Sequence, residues 1–471
     1  MRLKVDSRAE AGRAETLVRF FTKAERTDIT SPQPIPEAEW SAATNTTLML
    51  HHAGLLCVGL GEGTKVTEQT LRAAAGTAVR TLQKAGRRIA ALDLRKYAEW
   101  TGAAAEGAVL GAYAFQDFKK TKVAAMASVR LIVKERDLAE ARKAARRGEI
   151  AGAATNLARE IGNQPGNLLY PETLAAECRR MAKREKLKVT VLDEKALERG
   201  GFGGLLAVGA GSRRPPRLIV LRHEGGRPGE APIALVGKAI TFDTGGISIK
   251  PADHMEEMVF DKCGGMAVLG AMAGIARLKM KRNVVGIIAS AENMPSATAY
   301  RPGDIVKTYD GTYIEVINTD AEGRMVLADG IAYARKDCGA GAVIDLATLT
   351  GACVVALGEY AAGLWSTSAS LQDALLAAAG RTGERLWPMP LYEDYTEQIR
   401  SEVAAIKNTG GRYGGACTAA AFLKAFAGDT PWAHLDIAPV AHSTKARPEL
   451  SRGATGFGTR LLMEMVERWR S

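Results

Sequence analysis

The sequence predicts an α/β protein of two domains, and three observations lead to this expectation. A length of 471 residues exceeds that of one ordinary domain. Short apolar runs alternate with helical patterns along the chain, which is the rhythm of a mostly parallel sheet covered by helices. Hydrophobic residues make up 46% and charged residues 24%, as in globular proteins with a large core. We expect a smaller N-terminal α/β domain at 1–158 and a larger α/β domain with a mostly parallel central sheet at 159–471.

The first domain shows strands and helices in alternation. The apolar runs predict strands at 54–61, 88–94 and 128–134, and the helical patterns lie at 67–85 and 137–159. The segment 163–171 (NQPGNLLYP) follows, and its two prolines and glycine stop any helix. We therefore place the connection between the two domains in the long charged helix before this segment.

The second domain continues the same alternation. Strands are predicted at 187–192, 216–221, 233–236, 284–290 and 342–346, with helices at 264–278 and 324–335. In such sheets ligand sites lie at the carboxyl ends of the strands. Acidic and basic side chains that directly follow these strands are therefore the candidates for a functional site.

Several classes of protein are not expected. No stretch qualifies as a membrane span; the nearest, 338–358, contains Asp345 and is interpreted as a buried strand followed by a loop. The first ten residues lack the apolar region of a secretory signal. The six cysteines form no CxxC pair, which favours reduced thiols. These features predict a cytoplasmic protein.

The net charge of +11 is distributed unevenly. Residues 1–155 hold 25 Lys and Arg against 17 Asp and Glu, which gives +8, and the remaining 38 against 35 give +3. A basic domain could contact nucleic acid. We favour a solvated basic face, because the charges are dispersed and aromatic residues are not interleaved with them.

Four segments concentrate acids and lysines after strand-like runs: VGKAITFDTGGISIKP (236–251), MVFDKCGG (258–265), NTDAEGR (318–324) and DLATLTG (345–351). In extended backbone, Asp320 and Glu322 project to the same side. Two carboxylates held together in a cleft repel each other unless cations neutralise them. Oxygen donors suit Mg²⁺ or Mn²⁺, and also Zn²⁺ where water is to be activated.

The string NTDAEGRMVLAD resembles the signature of the leucyl aminopeptidase family, which are cytosolic dizinc exopeptidases. VGKAITFDTGGISIKP is similar to that family's second motif, and the likeness extends over nearly all of 155–471, including KNTGGRYGGACTAAAFL (407–423) and DTPWAHLDIA (429–438). It is weaker in the N-terminal part, at VGLG (58–61) and EGAVLGAYAF (106–115). The resemblance implies a macro-like N-terminal domain, with a possible oligomerisation or nucleic-acid surface, and a catalytic metallopeptidase domain.

The resemblance also implies residue roles. The metal ligands are Lys238, Asp243, Asp261, Asp320 and Glu322, the catalytic pair is Lys250 and Arg324, and the pocket for the N-terminal side chain is lined by Met258, Thr348 and Gly351. All metal ligands except Asp320 would surround the tighter ion. The more exchangeable ion would be held by the two shared carboxylates together with Asp320 and its backbone carbonyl.

The charges of this ligand set are consistent with two divalent ions. Four carboxylates balance two ions only if Lys238 binds as a neutral amine, which a nearby cation favours by lowering the lysine pKa. Lys250 would stay charged and polarise the scissile carbonyl. Arg324 would hold a bicarbonate ion through two parallel hydrogen bonds, and in the family this bicarbonate accepts the proton of the attacking water.

The resemblance therefore implies an aminopeptidase that depends on two metal ions, Zn²⁺ and/or Mn²⁺, and removes leucine-like N-terminal residues from peptides. It also implies a homohexamer of two stacked trimers. Alternatives left open are DNA binding through Arg142, Lys143, Arg146 and Arg147, a catalytically silent scaffold, and specialisation on dipeptides.

Two departures from the family pattern concern the ligand segments. Ala239 replaces the usual glycine after Lys238, and Gly265 and Met266 stand where small alanines are common. The added methyl group at 239 could alter the approach of the backbone to the metal.

Two weaker patterns are interpreted as structural, and a third motif is absent. Glycines at 59–63 resemble a dinucleotide loop, but no acid lies between Glu68 and Asp93 to bind a ribose. The pair His51 and His52 has no visible metal-binding partner. No GxSxG motif supports a serine nucleophile.

Overall fold

The computed structural model describes residues 1–8, 15–29 and 35–469. It confirms the α/β fold class, with helices and strands alternating along both parts of the chain. Two compact units result: residues 1–156 together with 444–452, and residues 157–443 together with 453–471.

The strands are numbered in chain order. They are β1 (Arg2–Asp6), β2 (Thr16–Thr22), β3 (Thr47–Leu50), β4 (Leu55–Gly61), β5 (Ile89–Asp93), β6 (Ser128–Ile132), β7 (Lys188–Leu192), β8 (Arg217–Glu224), β9 (Ile233–Asp243), β10 (Asn283–Asn293), β11 (Ile305–Lys307), β12 (Tyr313–Glu315), β13 (Ala342–Ala347), β14 (Ala362–Ser366), β15 (Leu386–Pro388), β16 (Ile406–Lys407), β17 (Trp432–Asp436), β18 (His442–Ser443) and β19 (Gly453–Ala454).

The α-helices are numbered in the same way. They are α1 (Glu68–Lys84), α2 (Thr101–Gly111), α3 (Leu138–Gly162), α4 (Pro171–Glu185), α5 (Glu194–Gly200), α6 (Gly203–Gly209), α7 (Cys263–Leu278), α8 (Glu322–Lys336), α9 (Gly351–Leu357), α10 (Ala369–Thr382), α11 (Glu393–Gln398), α12 (Gly415–Ala427) and α13 (Thr459–Arg468). A 3₁₀ turn, Met255–Phe260, precedes α7.

The first unit is built on a six-stranded sheet with the order β1-β6-β5-β2-β4-β3. Within the described residues every pairing is parallel except that of β3 with β4. All seven residues of β4 are buried, as expected for a parallel strand covered on both faces. Glycine allows α1 and α2 to touch, because a Cβ atom at Gly107 would lie 2.0 Å from the carbonyl oxygen of Arg72. The predicted strands and helices of this part are confirmed, with ends that shift by up to three residues.

The segment 444–452 differs from the predicted domain division, which assigned it to the second domain. It packs with the first unit. The guanidinium of Arg80 on α1 donates hydrogen bonds of 2.6 Å and 2.7 Å to the carbonyl oxygens of Arg447 and Leu450. A Cβ atom at Gly76 would lie 3.1 Å from the carbonyl oxygen of Pro448, so the two backbones are in close contact. These contacts join parts of the chain that are far apart in sequence.

The second unit is built on an eight-stranded sheet with the order β15-β14-β17-β13-β9-β10-β8-β7. The four central strands, β17 to β10, are parallel to one another. Side chains alternate between the faces of β9. Val236 and Lys238 face α8, since Cβ atoms at Gly330 and Gly323 would lie 2.9 Å and 2.7 Å from them. Ala239 faces α7 on the opposite side.

Two expectations about apolar segments are corrected. The strand at 342–347 is followed by a short loop at 348–350 and then by helix α9, which was not expected; the side chain of Thr350 accepts a hydrogen bond from the N–H of Cys353 and caps the helix. Within the part of the chain that the structure describes, one helical stretch, Met255–Leu278, is long and apolar enough to cross a membrane, although none was expected. Inside this fold 83% of its most apolar 18-residue segment is buried, and we interpret it as a core helix.

Candidate metal centre

The predicted metal ligands converge at the carboxyl end of β9. Lys238 and Asp243 lie on β9, Asp261 precedes α7, and Asp320 and Glu322 stand at the start of α8. The glycines after β9 make this approach possible. Gly245 has a φ of 85°, and a Cβ atom there would lie only 2.4 Å from the carbonyl oxygen of Ser248 and 3.1 Å from Asp320 Oδ1.

Two lysines bridge the carboxylates. The Nζ atom of Lys238 lies 2.8 Å from Asp261 Oδ1 and 2.8 Å from Glu322 Oε1. The Nζ atom of Lys250 lies 2.9 Å from Asp243 Oδ2 and also contacts Asp320 Oδ1. Carboxylate oxygens of Asp243, Asp320 and Glu322 all lie within 4.8 Å of one another. The structure thus brings the five predicted ligands and Lys250 into one cluster.

Burial and mutual repulsion shape the charges of this cluster. Burial raises the pKa of Glu322 to about 8, and the carboxylates of Asp243 and Asp261 add to the effect. Burial likewise raises the pKa of Asp261 to about 6 and increases that of Asp320. The raised pKa values show that the two lysines do not fully offset the cost of burying these negative charges. Additional positive charge would therefore stabilise the ionised carboxylates.

Lys238 is held as an ammonium ion by its neighbours. Burial alone lowers its pKa, but the carboxylates of Asp261, Glu322 and Asp243 outweigh burial and raise the pKa above the usual lysine value. The neutral amine expected of a metal ligand therefore requires cations close enough to offset these carboxylates.

The donor set fits divalent cations. Among the described residues, Asp261 Oδ2 and Glu322 Oε2 are buried oxygens that accept no hydrogen bond. Buried carboxylate oxygens without a donor are costly unless a cation binds them. The ligands are hard oxygen atoms with one amine nitrogen, which suit Mn²⁺, Mg²⁺ or Zn²⁺.

Arg324 lies beside the cluster on the first turn of α8. Its Nη1 donates a 2.7 Å hydrogen bond to the carbonyl oxygen of Asn408. Burial lowers its pKa to about 10, so the guanidinium stays charged at neutral pH. In the described structure its Nε is buried and has no hydrogen-bond partner. A charged donor of this kind is available to an anion.

The three predicted pocket residues occupy different surroundings. Thr348 touches the ligands directly: its Oγ1 donates a 2.7 Å hydrogen bond to Asp261 Oδ1, and its carbonyl oxygen accepts one of 2.8 Å from Lys238. Gly351 begins α9 and faces open space, since a Cβ atom there would meet nothing within 4 Å. Met258 is partly buried in the 3₁₀ turn before Asp261. Their contribution to a side-chain pocket stays a prediction.

Three polar residues that were not singled out from the sequence support the ligand loops and the loop that carries Thr348. Asn293 donates a 2.8 Å hydrogen bond to Asp243 Oδ1. The side chain of Asn408 accepts a 2.8 Å hydrogen bond from the N–H of Ile317 and donates one of 2.7 Å to the carbonyl of Asn318. Asp436 accepts a 2.6 Å hydrogen bond from Thr350 Oγ1. Asn408 and Asp436 lie within motifs that carry the family resemblance, so those motifs could have pointed to them. Asn293 lies in none of these motifs.

The two departures from the family pattern are neighbours in space. A Cβ atom at Gly265 would lie 2.8 Å from the Cβ of Ala239. The methyl group of Ala239 therefore occupies the space that a side chain at 265 would need. It points towards α7, on the face of β9 opposite to Lys238.

The weaker sequence patterns are accounted for by the fold. A Cβ atom at Gly59 would lie 2.2 Å from the carbonyl oxygen of Ala43, so this glycine permits a close backbone contact. His51 and His52 are exposed in a short 3₁₀ turn. All six cysteines are buried free thiols.

Comparisons with known proteins agree with this architecture. Residues 156–463 match the profile of the catalytic domain of the cytosol aminopeptidase family, and residues 33–122 match the profile of its N-terminal domain. A probable cytosol aminopeptidase of Cenarchaeum symbiosum (strain A) is 45% identical over 415 residues, covering 87% of this chain and 84% of that relative. One of Geobacter sp. (strain M21) is 44% identical over 442 residues, covering 91% and 90%.

A solved structure is also similar. The bottromycin maturation enzyme BotP superposes with a TM-score of 0.87 at 35% sequence identity, covering 96% of this chain and 99% of BotP. A second structure of that enzyme, in complex with Mn, gives the same values. With both domains matched and relatives of more than 40% identity over most of its length, the chain belongs to the cytosol aminopeptidase family and is an aminopeptidase.

Proposed function

We propose that this aminopeptidase depends on two divalent metal ions and releases leucine-like N-terminal residues from peptides. The observation that carries the proposal is the convergence of Lys238, Asp243, Asp261, Asp320 and Glu322 within a buried cluster. Uncompensated carboxylate oxygens in this cluster support the binding of cations. Zn²⁺ and Mn²⁺ are the proposed ions, and the Mn complex of the similar enzyme BotP supports Mn²⁺.

Divalent ions held by these residues would polarise the scissile carbonyl and lower the pKa of a water molecule. The protein itself supplies orientation and charge. Asp243 and Glu322 would be shared between the two proposed ions, and Asp320, which is the most exposed of the carboxylates, would help to hold the more exchangeable one. The free α-amine of the substrate would bind on that side, which would limit the reaction to N-terminal residues.

Lys250 is the proposed electrophilic group. Burial lowers its pKa, but the carboxylates of Asp243, Glu322 and Asp320 outweigh burial and raise the pKa, so the ammonium is fully protonated at neutral pH. Its charge can stabilise the negative charge that develops on the carbonyl oxygen of the substrate. The side chain is partly exposed, which gives a substrate access to it.

Arg324 is proposed to hold a bicarbonate ion that accepts the proton of the attacking water. A guanidinium with a pKa of about 10 is a poor base at neutral pH. Its buried Nε without a partner in the described residues supports an anion at this position. Activity that rises with bicarbonate in the native enzyme, and not in Arg324→Ala, is the expected result.

We further propose that the protein is a cytoplasmic homohexamer. Large apolar side chains on the second unit are exposed, including Val355 at 89%, Tyr413 at 85%, Tyr392 at 65% and Trp387 at 61%. Exposed apolar surface of this kind marks association sites. Sedimentation velocity is expected to give six times the chain mass of 50.1 kDa.

DNA binding by the basic first unit is the second candidate. Helix α3 exposes Arg142, Lys143 and Arg146, and Arg146 is paired with Glu149 at 3.1 Å. Reversal of these three charges together with that of Arg147 should abolish any affinity for DNA that falls steeply with salt. Affinity that does not depend on salt in the native protein contradicts this candidate.

The proposed function is tested by assaying purified protein on leucine p-nitroanilide with and without added Mn²⁺. We expect turnover that requires the metal and is lost in Glu322→Gln. A protein that binds two ions per chain and still gives no turnover on any aminoacyl substrate would instead be a scaffold. Including dipeptides among the tested substrates would reveal a preference for them.

A further inference from the structure

The carboxamide of Asn293 links two of the metal-ligand loops. This residue ends β10 and is 1% exposed. We propose that Asn293 is a positioning residue that fixes Asp243 so that only its Oδ2 atom faces the cation site. The inference rests on the proposed two-metal function and assigns a role to a side chain outside the ligand set.

The two oxygens of Asp243 have different surroundings. Oδ1 accepts hydrogen bonds of 2.9 Å from the N–H of Gly245 and 2.8 Å from Nδ2 of Asn293. Oδ2 lies 2.9 Å from Nζ of Lys250, inside the cluster. A carboxylate oxygen has about two lone-pair directions. The two donors therefore occupy Oδ1, and the carboxylate can offer only Oδ2 to a cation.

The local backbone aims Asn293 at Asp243. Strands β9 and β10 pair in parallel, and their register shifts between Ala291 and Asn293, where Asn293 comes to stand opposite Asp243. Irregularities of this kind redirect a side chain relative to the regular pleat. Regular alternation along β10 therefore does not predict this contact.

The same amide group reaches the second ligand loop. Nδ2 of Asn293 also donates a 3.1 Å hydrogen bond to the carbonyl oxygen of Thr319, the residue before Asp320. The hydroxyl of Tyr300 donates one of 2.8 Å to the same oxygen. The NH₂ group thus connects Asp243 to the loop that carries Asp320 and sets the separation of the two carboxylates.

The contacts also define the orientation of the amide. Both partners of Nδ2 are acceptors, so an oxygen atom at that position would meet only oxygen atoms. Space around the other side of the amide is restricted, because a Cβ atom at Gly246 would lie 2.8 Å from Asn293 Oδ1. An aspartate at 293 is nearly the same shape, yet it would remove both hydrogen bonds and place a negative charge against Asp243.

The test compares metal binding by the native protein, Asn293→Ala, Asn293→Asp and Tyr300→Phe. Manganese affinity is measured by competition with a fluorescent chelator, and folding by thermal unfolding in EDTA. We expect Asn293→Ala to weaken the binding of both ions by about 10- to 100-fold, which is the usual effect of removing a group that orients a metal ligand. Asn293→Asp should do the same despite its shape. Tyr300→Phe leaves the contact between Asn293 and Asp243 in place. It should therefore weaken at most the binding of the more exchangeable ion.

Ser290→Ala is the matched control. Ser290 lies on the same strand, is fully buried, and its hydroxyl has no hydrogen-bond partner among the described residues. We expect native manganese affinity in this variant.

If Asn293→Ala and Asn293→Asp lower the unfolding temperature but bind both ions with native affinity, Asn293 is only structural and the inference is wrong. If one of them fails to fold, the affinity of the other decides. A native protein that binds no metal overturns the proposed function and this inference together, whereas a native protein that binds two ions without turnover overturns only the former.

Discussion

The ammonium of Lys238 donates a 2.8 Å hydrogen bond to the carbonyl oxygen of Thr348. This bond joins β9 to the loop after β13, and the hydroxyl of the same threonine reaches Asp261 Oδ1 at 2.7 Å. One residue of the predicted side-chain pocket therefore supports two predicted ligands of the tighter ion.

Thr348→Val keeps the size of the side chain and removes its hydroxyl. We expect weaker binding of the tighter ion, by about 10-fold, because Asp261 loses a hydrogen bond that orients it. Metal content after dialysis against a chelator measures this. A variant that keeps its metal and changes only the KM for substrates of different side-chain size would show that Thr348 acts in the pocket alone.

Lys250→Ala is expected to reduce turnover far more than metal content. Lys250 contacts Asp243 and Asp320 through Nζ but is not one of the predicted ligands, and its charge is proposed to act on the substrate carbonyl. Loss of one such group typically costs about 100- to 1,000-fold in kcat. Metal analysis and kcat are measured on the same preparation. Equal losses of both would assign Lys250 to metal binding or folding.

Gly265→Ala should destabilise the second unit. The new Cβ atom would lie 2.8 Å from the Cβ of Ala239 and 2.9 Å from Cγ2 of Ile288, so neighbours must shift at a cost of about 1–3 kcal/mol. Adding Ala239→Gly removes the first contact and should restore part of the loss, which a double-mutant cycle of thermal unfolding measures.

Gly380→Ala is the control for that cycle. It also adds a methyl group to a helical glycine, but a Cβ atom there would meet nothing within 4 Å. We expect no loss of stability, and a gain of up to about 1 kcal/mol from the reduced freedom of the unfolded chain. Additive effects of the changes at 239 and 265 would contradict the proposed contact between them.

We expect the buried carboxyl group of Asp329 to make the free energy of unfolding depend on pH. Its fully buried carboxylate accepts hydrogen bonds of 2.9 Å from the N–H of Leu205 and 2.8 Å from that of Tyr309, yet burial raises its pKa from 3.8 to about 7. Between pH 4 and 7 the unfolded chain releases this proton more readily than the folded protein. The contribution of Asp329 to the free energy of unfolding therefore falls as the pH rises through this range, by at most about 1.4 kcal/mol per pH unit.

The comparison with Asp329→Asn isolates this effect, because asparagine does not titrate. Urea midpoints measured from pH 4.5 to 7.5 in EDTA should show the native protein losing stability relative to the variant as the pH rises. Parallel pH profiles of the two proteins would contradict a raised pKa at this position.

Much of the candidate site could be predicted from the sequence because the ligands lie in continuous motifs. Asp320 and Glu322 are two residues apart, and Lys238 and Asp243 belong to one strand and its end. Their approach to Asp261 follows from a parallel sheet, whose strands end at one edge. Short continuous motifs of this kind indicate both which residues are ligands and to which side their side chains project.

Other features depend on contacts between distant parts of the chain. Asn293 reaches Asp243 only because the register of β9 and β10 shifts at the end of the pairing. The segment 444–452 packs with the first unit through backbone carbonyls that accept hydrogen bonds from Arg80, and carbonyls have no sequence signature. Helix α9 was missed since its seven residues are too few for a clear helical period.

The most direct test of the two-metal account is the number of manganese ions bound per chain, measured by equilibrium dialysis and elemental analysis while activity is followed on the same samples. We predict two ions per native chain, with full turnover only when the second is bound, and loss of both ions in Glu322→Gln. Full activity in protein that contains no divalent metal would contradict the account.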